Sequence, residues 1–66
     1  MNIRKYIINN FKNNTFKEIK DAIDESLKSD DEVVLPGLGV FLEIIWKNSS
    51  LELKNTLVDI LVNNLK

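Results

Sequence analysis

The sequence predicts an all-α protein: a compact bundle of four short helices with the third helix buried at its centre. Apolar residues recur at three- and four-residue spacing through most of the 66 residues, which is typical of amphipathic helices. Residues 35–46 are apolar around most of a helical circumference, and Gly39, Glu43 and Lys47 share one stripe. A helix of this kind is normally buried. We therefore expect residues 1–66 to form a single small helical domain.

The first two helices are predicted from their apolar stripes and from a capping box. Helix one is expected over about residues 2–11. Its apolar residues lie on one side: Ile3, Tyr6, Ile7 and Phe11. Thr15 and Glu18 have the spacing at which each side chain bonds the other's backbone amide, so helix two is expected to begin there and to end near Lys28. Its apolar stripe consists of Phe16, Ile19, Ile23 and Leu27.

Helix three is predicted to follow an acidic connector. Residues 29–32 are expected to form a solvated turn, because acidic side chains are unfavourable at a helix C-terminus. Residues 33–35 are predicted to be extended, since a residue before proline avoids helical torsions. Pro36 then lies near the start of helix three. Gly37 is expected to supply a positive φ in the turn, and Gly39 to let a neighbouring backbone or bulky side chain approach.

Helix four is predicted from Ser49, which forms a second capping box with Glu52, to about residue 65. Its core face consists of Leu53, Leu57, Ile60, Leu61 and Leu65. Three further residues widen this stripe beyond what a small bundle buries: Leu51, Val58 and Val62. Trp46 lies at the border of the polar stripe of helix three. These four residues are the candidate interaction surface, whereas Phe41 and Ile45 are predicted core residues.

No catalytic, cofactor-binding or metal-binding residue is predicted. The chain has no cysteine and no histidine, which removes the commonest transition-metal ligand and general base. The acidic residues 30–32 lack the spacing of a calcium-binding loop. The glycines of residues 37–39 lack the P-loop lysine and the full dinucleotide fingerprint. We therefore expect no enzyme activity, no cofactor and no small-molecule substrate.

Charge and hydropathy narrow the range of partners. The net charge is -1 and the basic residues are spread among acids, which is not the pattern of a dedicated nucleic-acid binder. No apolar run approaches the roughly 20 residues of a membrane span, and the lack of cysteine favours the cytoplasm. Two interaction hypotheses follow. Leu51, Val58 and Val62 could join two copies in a homodimer or dock a partner helix, and the Lys and Arg residues of helices one and two could bind nucleic acid weakly.

Residues 34–46, VLPGLGVFLEIIW, resemble the signature of the small acid-soluble spore protein I family. That family carries a leucine-proline-glycine-leucine-glycine-valine core, then bulky apolar residues, a glutamate and a tryptophan. The acidic turn before this segment and the leucine-rich C-terminal helix agree in kind, as do Asp21, Ala22 and Ile23. The resemblance implies a minor, non-enzymatic protein of the forespore and spore core, active in sporulation, with no defined molecular role and no ligand residues to carry over.

Two groups of DNA-binding proteins are related to this chain only by part of the family name or by part of the sequence pattern. The abundant alpha/beta-type spore proteins coat DNA, but their glycine- and glutamine-rich sequence is absent here, so DNA coating is not implied. Residues 19–41 are similar to the N-terminal half of bacterial histone-like DNA-bending proteins. In those proteins the glycine-aromatic segment enters a sheet followed by basic arms. Here the arms are missing, and residues 43–46 are predicted to continue the helix.

Overall fold

The computed structural model describes residues 2–29 and 31–65, and this part of the chain is all-α, with no strand. Its elements, in chain order, are α1 (Ile3–Phe11), α2 (Phe16–Lys28), a 3₁₀ turn (Glu32–Val34), α3 (Leu35–Lys47) and α4 (Leu51–Asn64). The predicted all-α class and the order of its four helices are confirmed over the described residues. The segment 43–46 continues α3, which separates it from the sheet of the histone-like proteins.

The predicted capping box at the start of α2 is confirmed. The hydroxyl of Thr15 accepts a hydrogen bond from the Glu18 amide at 3.2 Å, and the Glu18 carboxylate accepts one from the Thr15 amide at 2.8 Å. Two backbone amides that the helix itself leaves unpaired are thus satisfied by neighbouring side chains. The capping box joins residues only three apart, so it needs no contact with the rest of the fold.

The capping box predicted from Ser49 and Glu52 at the start of α4 is wrong, and a single cap one residue later takes its place. Ser50 is the cap, and its hydroxyl accepts from the Leu53 amide at 3.2 Å. Ser49 donates its hydroxyl to the Ile45 carbonyl instead. Ser49 therefore bonds to the end of α3, whereas Ser50 caps the start of α4, so each of the two successive serines serves a different helix.

The start of α3 also differs from the prediction. Residues 33 and 34 are in the 3₁₀ turn rather than extended, because the carboxylate of Asp31 accepts from the Val33 amide at 2.9 Å and caps this turn. The turn continues directly into α3, with Pro36 in its first turn, where the missing amide proton has no intrahelical partner to lose. Gly37 is helical and has no positive φ, so the glycine turn predicted there is wrong.

Helix α1 packs on α3. The rings of Phe11 and Phe41 meet edge to face, with centroids 5.2 Å apart and planes at 80°. Ile7 lies close to the α3 backbone, since its Cδ1 is 3.4 Å from where a Cβ on Gly37 would stand. Nothing lies within 4 Å of the corresponding position on Gly39. The close approach predicted at Gly39 therefore occurs two residues earlier, at the other glycine.

Helix α3 carries the most buried side chain of the described residues, Val40, which is 8% exposed. Phe41 is half-buried against α1, but the rest of the apolar circumference is open. Ile45, predicted as core, is exposed, as are Leu42 and Ile44. The third helix is thus the partner of α1 and continuous with the 3₁₀ turn, while much of its apolar surface is not enclosed by this chain alone.

The chain as a whole is loosely packed for its size. It exposes 5779 Å², whereas a folded monomer of 7.6 kDa exposes about 4300 Å². Its radius of gyration is 13.1 Å, against about 11 Å for a compact domain of this length. The excess of about 1500 Å² means that the packing predicted for a closed bundle is incomplete in a single copy.

Candidate interaction surface

The described residues present apolar surface rather than a cluster of reactive groups. Within residues 2–29 and 31–65, no three His, Cys, Asp or Glu side chains lie close enough to hold a metal ion. Asp31 and Glu32 of the predicted acidic turn are exposed, and Asp30 lies outside the described residues. Two apolar surfaces stand out, one on α4 and one between the first three helices.

The α4 face consists of Leu51, Val58 and Val62, the residues that the sequence analysis placed at an interaction surface. Their spacing of seven and four residues puts them on one side of α4. Leu51 is 74% exposed and Val62 is 52% exposed, and Val58 is also exposed. All three side chains are exposed in a single copy, so the α4 face is available for contact.

Trp46, the fourth predicted residue, is joined to this face through Lys54. The Lys54 ammonium lies 5.5 Å from the centre of the indole ring, within the range of a cation–π contact. Lys54 is one helical turn from both Leu51 and Val58, so the contact ties the end of α3 to the α4 face. Trp46 is itself exposed, which leaves its ring free to extend this surface.

A second apolar surface, the groove, lies between α1, α2 and α3 and encloses about 280 Å³. Its lining includes Ile8, Lys12, Ile19, Ile23, Ile44 and Ile45. Lys12 is the one charged residue among all nine lining residues, and none of them belongs to α4. The apolar stripes of α1, α2 and α3 are predicted from the sequence, but they were expected inside a closed bundle. The groove between them was therefore not predicted.

The segment between α3 and α4 is held by side-chain hydrogen bonds. The Asn48 amide donates to the Ile44 carbonyl at 2.8 Å, the Ser49 hydroxyl donates to the Ile45 carbonyl, and Ser50 caps α4. These bonds satisfy the last carbonyls of α3 and the first amides of α4. No residue of α4 lines the groove, so the two apolar surfaces do not cover each other within one chain.

An ion-pair cluster connects α1 to α3 beside these surfaces. Arg4 binds the Glu43 carboxylate with two hydrogen bonds, Nε to Oε1 at 2.6 Å and Nη2 to Oε2 at 2.9 Å. Lys47 donates to the same carboxylate at 3.3 Å, which confirms the predicted Glu43–Lys47 pair. The hydrogen bonds that Glu43 accepts, first from Arg4 and second from Lys47, lower the pKa of Glu43 to about 2. The hydrogen bonds that Arg4 donates to Glu43 raise the pKa of Arg4.

The lowered pKa predicts a loss of stability in acid. The folded state binds the Glu43 proton less tightly than the unfolded chain, so the ion pair stabilises the fold fully above the ordinary pKa of 4.5 and stops doing so as pH falls towards 2. Glu43→Gln removes this contribution. We expect the gap in melting temperature between wild type and Glu43→Gln to narrow between these two pH values. Glu25→Gln, at an exposed carboxylate of α2, is the control, and an unchanging gap down to pH 2 would contradict the assignment.

The family relationship follows from comparison with known proteins. The family model described as small, acid-soluble spore protein I matches residues 1–65. The chain belongs to this family. The match confirms the resemblance carried by residues 34–46 and covers nearly the whole chain, so this is a spore protein of the small acid-soluble class.

Curated members of the family are similar to this chain over nearly their full lengths. A small, acid-soluble spore protein I from Geobacillus sp. (strain WCH70) is 38% identical over 66 residues, covering 100% of this chain and 93% of the relative. Those from Bacillus cereus (strain AH187) and Bacillus anthracis (strain A0248) are each 35% identical over 65 residues, covering 98% of this chain and 94% of the relative. No solved structure matches the chain. Among the described residues, no helix is both long and apolar enough to cross a bilayer.

Proposed function

We propose that this chain is a non-enzymatic protein of the forespore and spore core that contributes to the spore through protein–protein contacts made by its apolar surface. Membership of the small acid-soluble spore protein I family supports the setting. Action through protein–protein contacts is supported by the exposed area of 5779 Å², which is about 1500 Å² above that of a closed monomer of this mass. Exposed apolar patches of more than a few hundred Å² mark interaction sites in folded proteins.

Contact with protein is favoured over contact with nucleic acid by the composition of the two open surfaces, and two basic residues of the first two helices are already paired. Arg4 is bound to Glu43, and Lys17 of α2 is bound to Asp21 at 2.9 Å. Cations held by neighbouring carboxylates are less available to phosphate groups, which supply most of the affinity of a nucleic-acid binder. The two open surfaces, by contrast, are almost entirely aliphatic and aromatic, which is the composition of the centre of a protein–protein interface.

The test combines localisation with a surface variant in the organism that encodes the protein. A fluorescent fusion should appear only in the forespore and remain in the spore core. A deletion strain complemented with the wild type, Val58→Asp or Asn63→Asp gene is then competed against its parent through repeated rounds of sporulation and germination.

We expect the Val58→Asp strain to be lost as fast as the deletion strain, because the new carboxylate disrupts the α4 face. The Asn63→Asp strain adds the same charge to α4 outside the α4 face and should compete like wild type. A deletion strain that competes as well as its parent would contradict the proposed contribution. So would a Val58→Asp strain that competes like wild type while the deletion strain is lost. Fluorescence in the mother cell would contradict the proposed setting.

A further inference from the structure

We infer that the partner is a second copy of this chain, in a closed dimer in which the α4 face of each copy packs in the groove of the other. The inference rests on the proposed function, since it names the partner that the apolar surface contacts. It joins two surfaces that a single copy leaves open, the α4 face and the groove between α1, α2 and α3.

The exposed area matches what a dimer of this kind buries. One chain exposes 5779 Å², about 1500 Å² more than a closed monomer of its mass, so two copies bring about 3000 Å² of excess surface to an interface. Obligate homodimers bury roughly 2000–5000 Å² in total. Pairing of the α4 faces with each other would leave both grooves open, whereas the reciprocal arrangement covers both surfaces of both copies.

The short segment between α3 and α4 explains why the groove is filled by another chain. Only residues 48–50 join α3 to α4, and no α4 residue lines the groove of its own chain. Moving α4 into that groove would pull the Lys54 ammonium away from the Trp46 ring, a contact of 5.5 Å that spans this segment. A second copy delivers an identical helix without that loss.

The two surfaces are complementary in charge as well as in polarity. Residues 2–14, which include α1, carry three basic residues and no acid, and Lys12 lines the groove. Helix α4 carries Glu52 and Asp59 against Lys54, and Asp59 directly follows Val58 of the α4 face. A carboxylate at the edge of the incoming helix can therefore meet the ammonium of Lys12. In a two-fold dimer each such contact forms twice.

Sedimentation equilibrium on the full chain tests the dimer. We expect a mass of about 15 kDa, twice the 7.6 kDa of one chain. Val62→Asp places a carboxylate in both copies of the contact and should weaken dimerisation at least about 100-fold. Asn63→Asp adds the same charge at the next position, outside the α4 face, and should leave the mass unchanged. Val62→Thr, which nearly keeps the shape of valine, serves if Val62→Asp does not fold, and should weaken dimerisation about tenfold.

Engineered cysteines test the arrangement, because the chain has none of its own. Copies carrying Ile8→Cys, in the groove, are mixed with copies carrying Val58→Cys and treated with a short bismaleimide. We expect cross-linked dimers in the mixture and few from either variant alone. Cross-links formed chiefly between two Val58→Cys copies would overturn the reciprocal arrangement. A wild-type mass of 7.6 kDa at about 1 mM, or equal effects of Val62→Asp and Asn63→Asp, would overturn the dimer.

Failure of this inference is distinguishable from failure of the proposed function. If the wild type is a monomer while the Val58→Asp strain is still lost in competition, the α4 face binds another protein and only the inference fails. If the dimer forms while the Val58→Asp strain competes like wild type, the dimer exists but does not carry the contribution to the spore.

Discussion

Phe41→Ala is expected to lower the free energy of unfolding by about 2–4 kcal/mol, measured by urea denaturation at one fixed protein concentration. The ring of Phe41 meets that of Phe11 edge to face at 5.2 Å, and this contact links α1 to α3. Truncation removes the aromatic pair and opens a cavity between the helices. Because Phe41 is only half-buried, the loss should fall below the upper end of the range for fully buried phenylalanine.

Phe16→Ala is the matched control for this substitution. Phe16 is the same residue type at the first position of α2, and its side chain is exposed. Its truncation should change the free energy of unfolding by less than about 0.5 kcal/mol. Equal losses from the two substitutions would mean that the Phe11–Phe41 contact does not hold α1 against α3.

The features that could be predicted from the sequence are those set by neighbouring residues. The α2 capping box and the apolar stripes of α1 and α2 depend on spacings of three or four residues, and so does the Glu43–Lys47 pair. Errors arose where two local signals competed. Ser49 and Ser50 can both cap a helix, and the bond from Ser49 to α3 decides which one does. Before Pro36, the cap at Asp31 outweighs the usual preference for an extended residue.

The features that could not be predicted depend on how distant segments meet. Arg4 and Glu43 are 39 residues apart, and neither has a local signal for the other. The α4 face and the apolar stripes of α1, α2 and α3 could be recognised from the sequence. Whether α4 covers the groove between those stripes depends on the direction it takes after residues 48–50. The predicted buried third helix assumed that it would, which is why Ile45 was assigned to the core and is instead exposed.

The dependence of the melting temperature on protein concentration is expected to be large. A dimer of folded chains gains stability by mass action, because unfolding produces two molecules from one. A hundredfold increase in concentration stabilises such a dimer by about 2.7 kcal/mol. For two chains of 66 residues this corresponds to a rise in melting temperature of about 10 °C. Circular dichroism near 222 nm follows the loss of helix directly.

Thermal unfolding of the wild-type chain at two concentrations a hundredfold apart therefore tests most directly whether a second copy completes this fold. We predict a melting temperature that rises by about 10 °C at the higher concentration, and a smaller rise for Val62→Asp than for Asn63→Asp. A melting temperature that stays constant for the wild type would contradict the claim, because a fold completed within one chain unfolds without regard to concentration.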